Sequence, residues 1–478
     1  GFAAPGPAGP PLGARAEANA EAQDATPSLD SSDADADFAM EKGVQGMSSA
    51  QLVFNIVKSV VGEGMLSLPA GIAAGTGVFL GCLITTFFGV LCGYTFASMG
   101  RVCSLTGART HKECATSVNS PLLAQTMAVV LALKTLFTCI SFAMVLGESY
   151  SHILHFFGLG GWIATRQTTL VIIVVAVLTP LCLQRDLSVL SYTSFFGICC
   201  EIFVLSFMQY RLMDGSYKPG GEFYNEIAPG DRLYWGKPDR PHLWSVTITT
   251  FVLVSSLSTA FIAHYNAPKF YSQMRRRSPL RFARVVAVAF AISLAIYIWV
   301  MIVGYLTFGE NCQGLVLNNY ADKDLGAVAA RVAIAFAVLF SFPLAFTALR
   351  DAAMSALNLP QERRRFWLPT TALLLALITA FGAWLDDLGL VNSLGGAMFG
   401  MLIVLVFPAM LTYLSARTIR TQTMIQDGAL TGKPCASRRL VVERAVSVLV
   451  VGTGAALLVL GTAVVLLKRF APHFLQSV

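Results

Sequence analysis

Long apolar stretches, separated by short polar segments, dominate the sequence. A stretch of about 20 apolar residues lets a helix cross the hydrocarbon core of a bilayer. Only 13% of the 478 residues are charged, against roughly a quarter in soluble proteins, which excludes an ordinary soluble globule. We therefore predict an all-α polytopic membrane protein with eleven transmembrane helices, called spans 1 to 11. They lie approximately at residues 52–71, 77–99, 121–148, 167–184, 187–210, 243–265, 283–307, 326–348, 366–385, 389–414 and 445–467.

Basic residues are distributed unevenly between the two sides of these spans. If the N-terminus is cytoplasmic, the cytoplasmic loops hold twenty Lys and Arg residues and the external segments hold nine. Cytoplasmic loops usually carry the basic excess, so we predict a cytoplasmic N-terminus and an external C-terminus. This sidedness accounts for the net charge of +7, and no nucleic-acid partner is expected. No metal-ligand spacing or cofactor motif occurs, so neither a metal nor a cofactor is expected.

The longest external loop divides the chain, and interruptions occur at corresponding places on either side of it. Span 1 is interrupted by Gly62 and Gly64, and span 6 carries a polar run at its middle, residues 255–259. Paired interruptions of this kind indicate a transporter with inverted repeats and a midplane site. We predict a disordered acidic cytoplasmic tail (1–47), a first five-helix repeat (48–210), an external loop (211–242), a second five-helix repeat (243–414), and a final segment with a cytoplasmic loop, the eleventh helix and a short external C-terminus (415–478).

The interruption in span 1 predicts a site for a carboxylate. Gly62 and Gly64 allow the backbone to leave helical geometry, and the freed N–H groups need a partner inside a membrane. A substrate carboxylate can be that partner. The alternative is that the glycines only let neighbouring helices pack closely. The hydroxyls of span 6 could bind a substrate ammonium, or could bond their own preceding turn. The predicted substrate-binding residues are Asn55, Gly62, Glu63, Gly64, Met65, Ser255, Ser256, Ser258 and Thr259.

Five motifs, in order along residues 48 to about 467, are similar to those of the amino acid/auxin permease family. They are the Asn, Gly-x-Gly, Leu and Pro between Phe54 and Pro69, the Phe, His, Asn, Pro and Tyr of residues 261–271, Gly304-Tyr305 with Phe308-Gly309, Arg331 with Pro343 and Arg350, and Gly396 with Pro408. The resemblance places the chain within the amino acid-polyamine-organocation superfamily. It implies a leucine-transporter type of fold, in which a 5+5 inverted repeat is followed by one extra C-terminal helix. It also implies transport of amino acids by alternating access, often with protons or sodium.

Two residues of span 1 depart from the family pattern. In the sodium-coupled branch an Asn three residues after the first one helps to hold the ion, and Lys58 stands at that position here. A fixed ammonium there would repel sodium and could occupy its site, unless Lys58 merely reaches the cytoplasmic surface. Glu63 stands where the family usually has a small residue. It could bind a proton, hold the cationic side chain of a substrate, or pair with a buried partner.

The remaining polar residues of the spans give weaker indications. Lys134 and Glu201 should face the protein interior, because an unpaired charge in lipid is costly, and they could pair with each other or with Glu63. The family match gives His264 a gating or packing role. Ser341 of span 8 is a weaker candidate for lining the same cavity as the hydroxyls of span 6. The predicted coupling or gating residues are Lys58, Glu63, Glu201, His264 and Ser341.

These observations predict a secondary active transporter of amino acids. It would be proton-coupled or uncoupled rather than sodium-coupled, and would carry cationic or neutral amino acids. The alternative is a nutrient sensor that binds amino acids without moving them. An enzyme is not expected, because the spans contain no Asp pair, Gly-x-Ser-x-Gly or zinc-type His cluster. A plasma membrane and a vacuolar or lysosome-like membrane both fit the charge distribution; the amino acid and the oligomeric state stay open.

Overall fold

Long helices form the regular structure of the protein. The computed structural model describes residues 46–118, 120–183, 190–232, 244–357, 359, 364–426 and 438–471, and no β-sheet occurs among them. The helices are α1 Ser49–Val60, α2 Leu68–Ala73, α3 Val78–Thr106, α4 His111–Ser117, α5 Pro121–Phe156, α6 Arg166–Ile173, α7 Thr179–Leu183, α8 Leu190–Asp214, α9 Thr250–Ala260, α10 Ala267–Gln273, α11 Pro279–Phe308, α12 Leu325–Ala356, α13 Arg364–Trp384, α14 Leu388–Gly395, α15 Phe407–Gln426 and α16 Arg438–Phe470. The all-α prediction is confirmed. Of the predicted tail, residues 1–45 lie outside the described residues.

Within the described part of the chain, nine helical segments are long and apolar enough to cross a membrane. Helix α1 and the segment Gly64–Ala73, which are bent by 46° relative to each other, make a tenth when taken as one span. The predicted count of eleven is not confirmed. Span 6 is divided into α9, of 11 residues, and α10, of 7 residues, and neither is long enough to cross a bilayer alone. The protein is a multi-pass membrane protein.

The first span breaks where the sequence loses helix-forming residues. Ser48 caps α1 by accepting a hydrogen bond from the N–H of Gln51, whose side chain accepts one from the N–H of Ser48. The helix ends at Val60, and the backbone is extended at Val61 and Gly62. A short 3-10 helix, Glu63–Ser67, leads into α2, with Pro in its first turn. The predicted interruption of span 1 is therefore present.

The helix order fixes which ends share a side of the bundle. We call the side of the bundle where α1 begins the N-terminal side, and the other the opposite side. Consecutive spans alternate in direction, so α11, which is span 7, ends on the opposite side, and the loop at residues 309–324 lies there. Helix α9 packs against α2, α14 and α16, and α11 packs against α1, α2 and α3. The two broken spans therefore lie inside the bundle, each beside α11 or α14.

Several charged side chains within the spans are buried in the protein. Lys134, Glu201 and Arg331 are 2%, 5% and 1% exposed, whereas apolar side chains such as Phe87 and Val175 point outward. This distribution is the one that a bilayer requires, because a charge facing lipid is costly. The prediction that Lys134 and Glu201 face the interior is confirmed, while their pairing stays a prediction.

Candidate functional site

The breaks in spans 1 and 6 lie next to each other. A Cβ added to Gly64 would lie 3.5 Å from the Cα of Ala260, so the two backbones approach closely. Tyr297 of α11 joins them: its hydroxyl oxygen lies 2.7 Å from the carbonyl oxygen of Val60 and 2.7 Å from that of Ala260. These carbonyls belong to the last residues of α1 and α9, which have lost helical partners. The hydroxyl has a single hydrogen, which the two carbonyls share, and it holds the breaks together.

A network of uncharged polar groups extends from the break in span 1 to α14. The Ser67 hydroxyl donates to the carbonyl oxygen of Gly64 (2.9 Å) and accepts from the Asn392 amide (3.4 Å). The Asn392 side-chain oxygen accepts from Ser141 of α5 (2.8 Å), and its backbone oxygen accepts from Thr259 of α9 (2.7 Å). Spans 1, 3, 6 and 10 are thus joined by single hydrogen bonds between neutral groups. Bonds of this kind cost little to exchange, about 0.5–1.5 kcal/mol each.

The four hydroxyls predicted in span 6 divide into two pairs. Ser255 and Ser258 donate to carbonyl oxygens of their own helix, at 2.7 Å and 2.8 Å. Ser256 instead lies 2.9 Å from the Ser393 hydroxyl, and Thr259 donates to Asn392. Only Ser256 and Thr259 therefore connect span 6 to another span of the site; the alternative of local bonding holds for the other pair.

Close helix contacts explain why Ser255 and Ser258 do not point into open space. A Cβ on Gly396 would lie 2.0 Å from the backbone oxygen of Ser255, and one on Gly400 would lie 2.7 Å from the Ser258 hydroxyl. Two π-helical turns, Gly396–Gly400 and Leu402–Val406, follow α14 at this contact. Such turns are frequent at functional sites.

The residues predicted around the break of span 1 lie near one another. Gly62 and Gly64 occupy the non-helical segment, and Met65 is fully buried in the 3-10 helix. Asn55 lies half-buried on α1, one and a half turns before the break. The backbone of Glu63 begins the 3-10 helix, and its side chain lies outside what the structure describes.

Lys58 is directed at span 5. Its ammonium nitrogen would be 2.4 Å from a Cβ added to Gly197 of α8, so it occupies the space that the missing side chain leaves. Lys58 is only partly exposed. Sequence reasoning identified Lys58 but not Gly197, because no feature of Gly197 in the sequence indicates a cation above it.

His264 anchors the segment between α9 and α10. Its Nε2 lies 3.1 Å from the carbonyl oxygen of Cys92 and 3.0 Å from the Thr95 hydroxyl, both on α3. A carbonyl only accepts, so Nε2 carries the hydrogen. The ring is fully buried and packs edge-on against Phe96, with 5.3 Å between centroids. His264 therefore packs against α3, and a gating role stays a prediction.

A second histidine connects this segment to the short helix α4. His111 Nε2 donates to the backbone oxygen of His264 at 2.8 Å. Burial lowers the pKa of His111, although its hydrogen bonds to the backbone of His264 and Tyr265 act in the other direction. The imidazole of His111 is therefore neutral at physiological pH, and it ties the loop helix to the break in span 6.

Two predicted residues lie on helices other than those of the broken spans. Ser341 donates to the carbonyl oxygen of Ala337 in its own helix at 2.8 Å. Glu201 is buried on α8, a helix that packs mainly against α12, and Lys134 Nζ lies 3.4 Å from Thr138 one turn along α5.

The structure adds four residues that sequence reasoning missed: Ser67, Ser141, Asn392 and Ser393. None of them is charged or is one of the family-motif residues, and each is a small polar residue in an apolar stretch. The usable signal was the pair Asn392-Ser393, which only Leu394 separates from Gly395-Gly396. An uncharged amide inside a span also needs a hydrogen-bond partner, although an unpaired amide costs less free energy than an unpaired charge.

The loop at residues 309–324 is tied to the spans by charged groups. Arg331 lies 3.2 Å from Asp322 and donates to the backbone oxygens of Leu317 and Tyr320. Burial raises the pKa of Asp322, but its hydrogen bond with His152 and the nearby charges outweigh burial, so that the pKa lies below its ordinary value. Asp322 is therefore ionised near neutral pH, and the loop is held over the opposite side of the bundle.

Known proteins are similar to this chain over most of its length. The family model described as "Transmembrane amino acid transporter protein" matches residues 45–427. The chain is 26% identical over 406 residues to "Sodium-coupled neutral amino acid transporter 7" of Bos taurus, covering 80% of this chain and 83% of the relative. It is 24% identical over 412 residues to "Amino acid transporter AVT6E" of Arabidopsis thaliana, with 80% of each chain covered. A solved structure, MhsT in complex with L-phenylalanine, aligns with a TM-score of 0.49 and 12% identity, covering 85% of this chain and 98% of that one.

Proposed function

We propose that this chain, which belongs to the transmembrane amino acid transporter family, carries amino acids across its membrane by alternating access. The observation that carries the proposal is the meeting of two broken spans, joined through Tyr297 and lying inside the bundle. Non-helical backbone at membrane depth is tolerated only where protein or a polar ligand satisfies it. An enzymatic role has no support in the relatives, which are named as transporters.

The two breaks offer groups of opposite polarity to a zwitterion. On this proposal the N–H groups of residues 62–65 bind the substrate carboxylate, because backbone freed from a helix donates to anions. The carbonyl oxygens at the end of α9, near Ala260, receive the ammonium, since the C-terminal end of a helix carries partial negative charge. The side chain of the substrate then lies towards Thr259 and Asn392.

Alternating access is supported by the weakness of the network around this site. Spans 1 and 6 contact Asn392 and Ser393 of span 10 through Ser67, Thr259 and Ser256, each with one neutral hydrogen bond. On this proposal, the two broken spans move together because Tyr297 joins them, and their bonds to α14 are exchanged. The π-helical turns after α14 let that helix adjust while Gly396 stays against α9.

Coupling to protons, or no ion coupling, is proposed in place of sodium coupling. The bovine relative is named for sodium coupling. The departure in this chain is Lys58, whose ammonium reaches Gly197 of α8 and supplies a fixed positive charge between spans 1 and 5. Glu63 is the second residue proposed to act in coupling: its carboxyl takes up a proton or holds the cationic side chain of a substrate. Neutral and cationic amino acids are both proposed substrates.

Uptake into proteoliposomes tests the function. We expect saturable uptake of at least one standard amino acid that is unchanged when sodium is replaced by choline. Measurement at two pH values, with and without a proton gradient, decides between proton coupling and uncoupled transport. Binding without uptake would instead favour the nutrient sensor. No saturable uptake of any amino acid would exclude the transporter.

Replacement of Glu63 by Gln should remove either the dependence of uptake on the proton gradient or the preference for cationic substrates. The amide keeps the size of the side chain but neither ionises nor attracts a cation. The change is measured as the ratio of uptake rates with and without the gradient, and as the ratio of rates for L-arginine and L-alanine. Glu113→Gln in the loop helix α4 is the matched control. Wild-type ratios in Glu63→Gln would remove Glu63 from the mechanism.

Replacement of Tyr297 by Phe should lower the uptake rate about tenfold or more and lower the thermal stability of the purified protein. The change removes one hydroxyl and leaves the carbonyls of Val60 and Ala260 without that donor. An unsatisfied buried polar group costs about 1–3 kcal/mol. Tyr94→Phe, on the 42% exposed Tyr94 of α3, is the control and should change neither quantity. Normal uptake in Tyr297→Phe would show that the junction is not needed for transport.

A further inference from the structure

A cavity of about 270 Å³ lies on the opposite side of the bundle, between α2, α9, α14 and α16. It is separate from the break at residues 62–65, since the first residue of span 1 that lines it is Ser67. Ser67, Ser256 and Ser393 line it with buried hydroxyls. At roughly 30 Å³ for one water molecule in the liquid, the cavity has the volume of about nine waters, enough for a small polar molecule.

Charged groups of both signs line the same cavity. Glu310 comes from the loop after α11, and Asp387 precedes α14. Lys468 and Arg469 come from the last turn of α16. All four residues are exposed, whereas the three serines are buried, so the charges stand at the mouth and the hydroxyls at the floor. A space with two cations and two anions at its mouth suits a zwitterion better than an ion of one sign.

Helix α16 is held firmly beside this cavity. A Cβ on Gly461 would lie 2.7 Å from the Ser255 hydroxyl, so α16 and α9 touch without a side chain between them. Val464 and Val465 form a buried cluster with Val252 of α9. The residues matched by the family model end at 427, before α16 begins. The two cations of the cavity therefore come from a part of the chain outside the region matched by the family.

We propose that this cavity is an outer amino-acid subsite, in which Lys468 and Arg469 bind the substrate carboxylate and Glu310 and Asp387 attract its ammonium. The Arg guanidinium can take a carboxylate through two parallel hydrogen bonds, and the Lys ammonium adds a second positive charge. The ligand class rests on the proposed function. The subsite lies close to the break in span 1, because Ser67 in its floor donates a hydrogen bond to the carbonyl oxygen of Gly64.

The subsite is tested by equilibrium binding of each standard amino acid, radiolabelled, to the full-length protein in detergent. For the transported amino acid we expect two molecules bound per wild-type chain and one per chain of the double variant Lys468→Gln/Arg469→Gln. In proteoliposomes we expect the same variant to raise the KM of uptake about tenfold, the loss typical of a charged contact, and to leave the maximal rate unchanged within about twofold.

Two controls separate the charge of the subsite from general effects. Lys323→Gln removes an exposed lysine of the same side that pairs with Glu226 and does not line the cavity, and it should leave binding and KM unchanged. The charge-conserving variant Lys468→Arg/Arg469→Lys should keep the second bound molecule. Its loss there would contradict a role based on charge.

The outcomes for the subsite and for transport are distinct. One molecule bound per chain, with equal KM in wild type and Lys468→Gln/Arg469→Gln, overturns the subsite while the transporter stands. Two molecules bound by both proteins also overturns it, because the second site then lies elsewhere. Neither binding nor uptake of any amino acid by the wild type overturns both proposals.

Discussion

Alanine in place of Gly396 is expected to abolish amino acid uptake and to lower the stability of the protein markedly. The added Cβ would lie 2.0 Å from the backbone oxygen of Ser255 and 2.7 Å from the hydroxyls of Ser258 and Thr259. The atom at 2.0 Å belongs to the backbone of α9, so rotation of a side chain cannot relieve the contact. Helices α9 and α14 must separate, and overpacking of this kind costs about 1–3 kcal/mol or more. Thermal unfolding and uptake by the purified protein measure the two effects.

The matched control for this prediction is Gly452→Ala on α16. A Cβ at Gly452 has no neighbour within 4 Å, so the same chemical change meets open space. In a helix, Ala is favoured over Gly by roughly 1 kcal/mol, and the control should be neutral or slightly stabilising. If Gly396→Ala behaved like Gly452→Ala, the close contact between spans 6 and 10 would not be a requirement of the fold.

The fold could be predicted from the sequence where one physical requirement dominates. Apolar length alone fixes most spans, because a bilayer demands it whatever the neighbouring helices do. The count was less secure at span 6, since apolar length does not reveal that α9 ends at Ala260 and that α10 begins only at Ala267. The polar run at residues 255–259 indicated a break in this span, but not the extent of the break.

The site was predictable only in part, because hydroxyls in helices have two kinds of partner. Sequence gives the same expectation for Ser255 and Ser256, yet one bonds its own helix and the other meets Ser393. Which of the two happens depends on the rotation of α9 against α14, a property of the packing. Asn392 was missed because its partners come from three separate spans, which no local pattern joins. Lys58 was found, but its contact with Gly197 is visible only in three dimensions.

Removal of the Lys58 ammonium is expected to lower the uptake rate about tenfold or more, which corresponds to about 1.4 kcal/mol or more. Lys58→Met keeps most of the length of the side chain and removes its charge. Gly197→Ala should have a similar effect for a different reason: the new Cβ would lie 2.4 Å from Nζ, the mobile end of Lys58, which must then leave its position. The fold should tolerate this displacement, so the thermal stability of Gly197→Ala should stay close to that of the wild type.

The double variant Lys58→Met/Gly197→Ala decides whether the two changes act through the same group. If the position of the ammonium against α8 is what matters, the double variant should transport no more slowly than Lys58→Met alone, because residues acting through one contact are not additive. Gly93→Ala on α3, where the Cβ would make an ordinary 3.5 Å contact with Phe290, is the matched control and should transport at the wild-type rate. Additive losses would mean that Gly197→Ala acts through packing alone. Wild-type uptake by Lys58→Met in sodium-free medium would mean that the lysine only extends to the membrane surface. It would contradict the proposal that the Lys58 ammonium takes the place of a coupling cation.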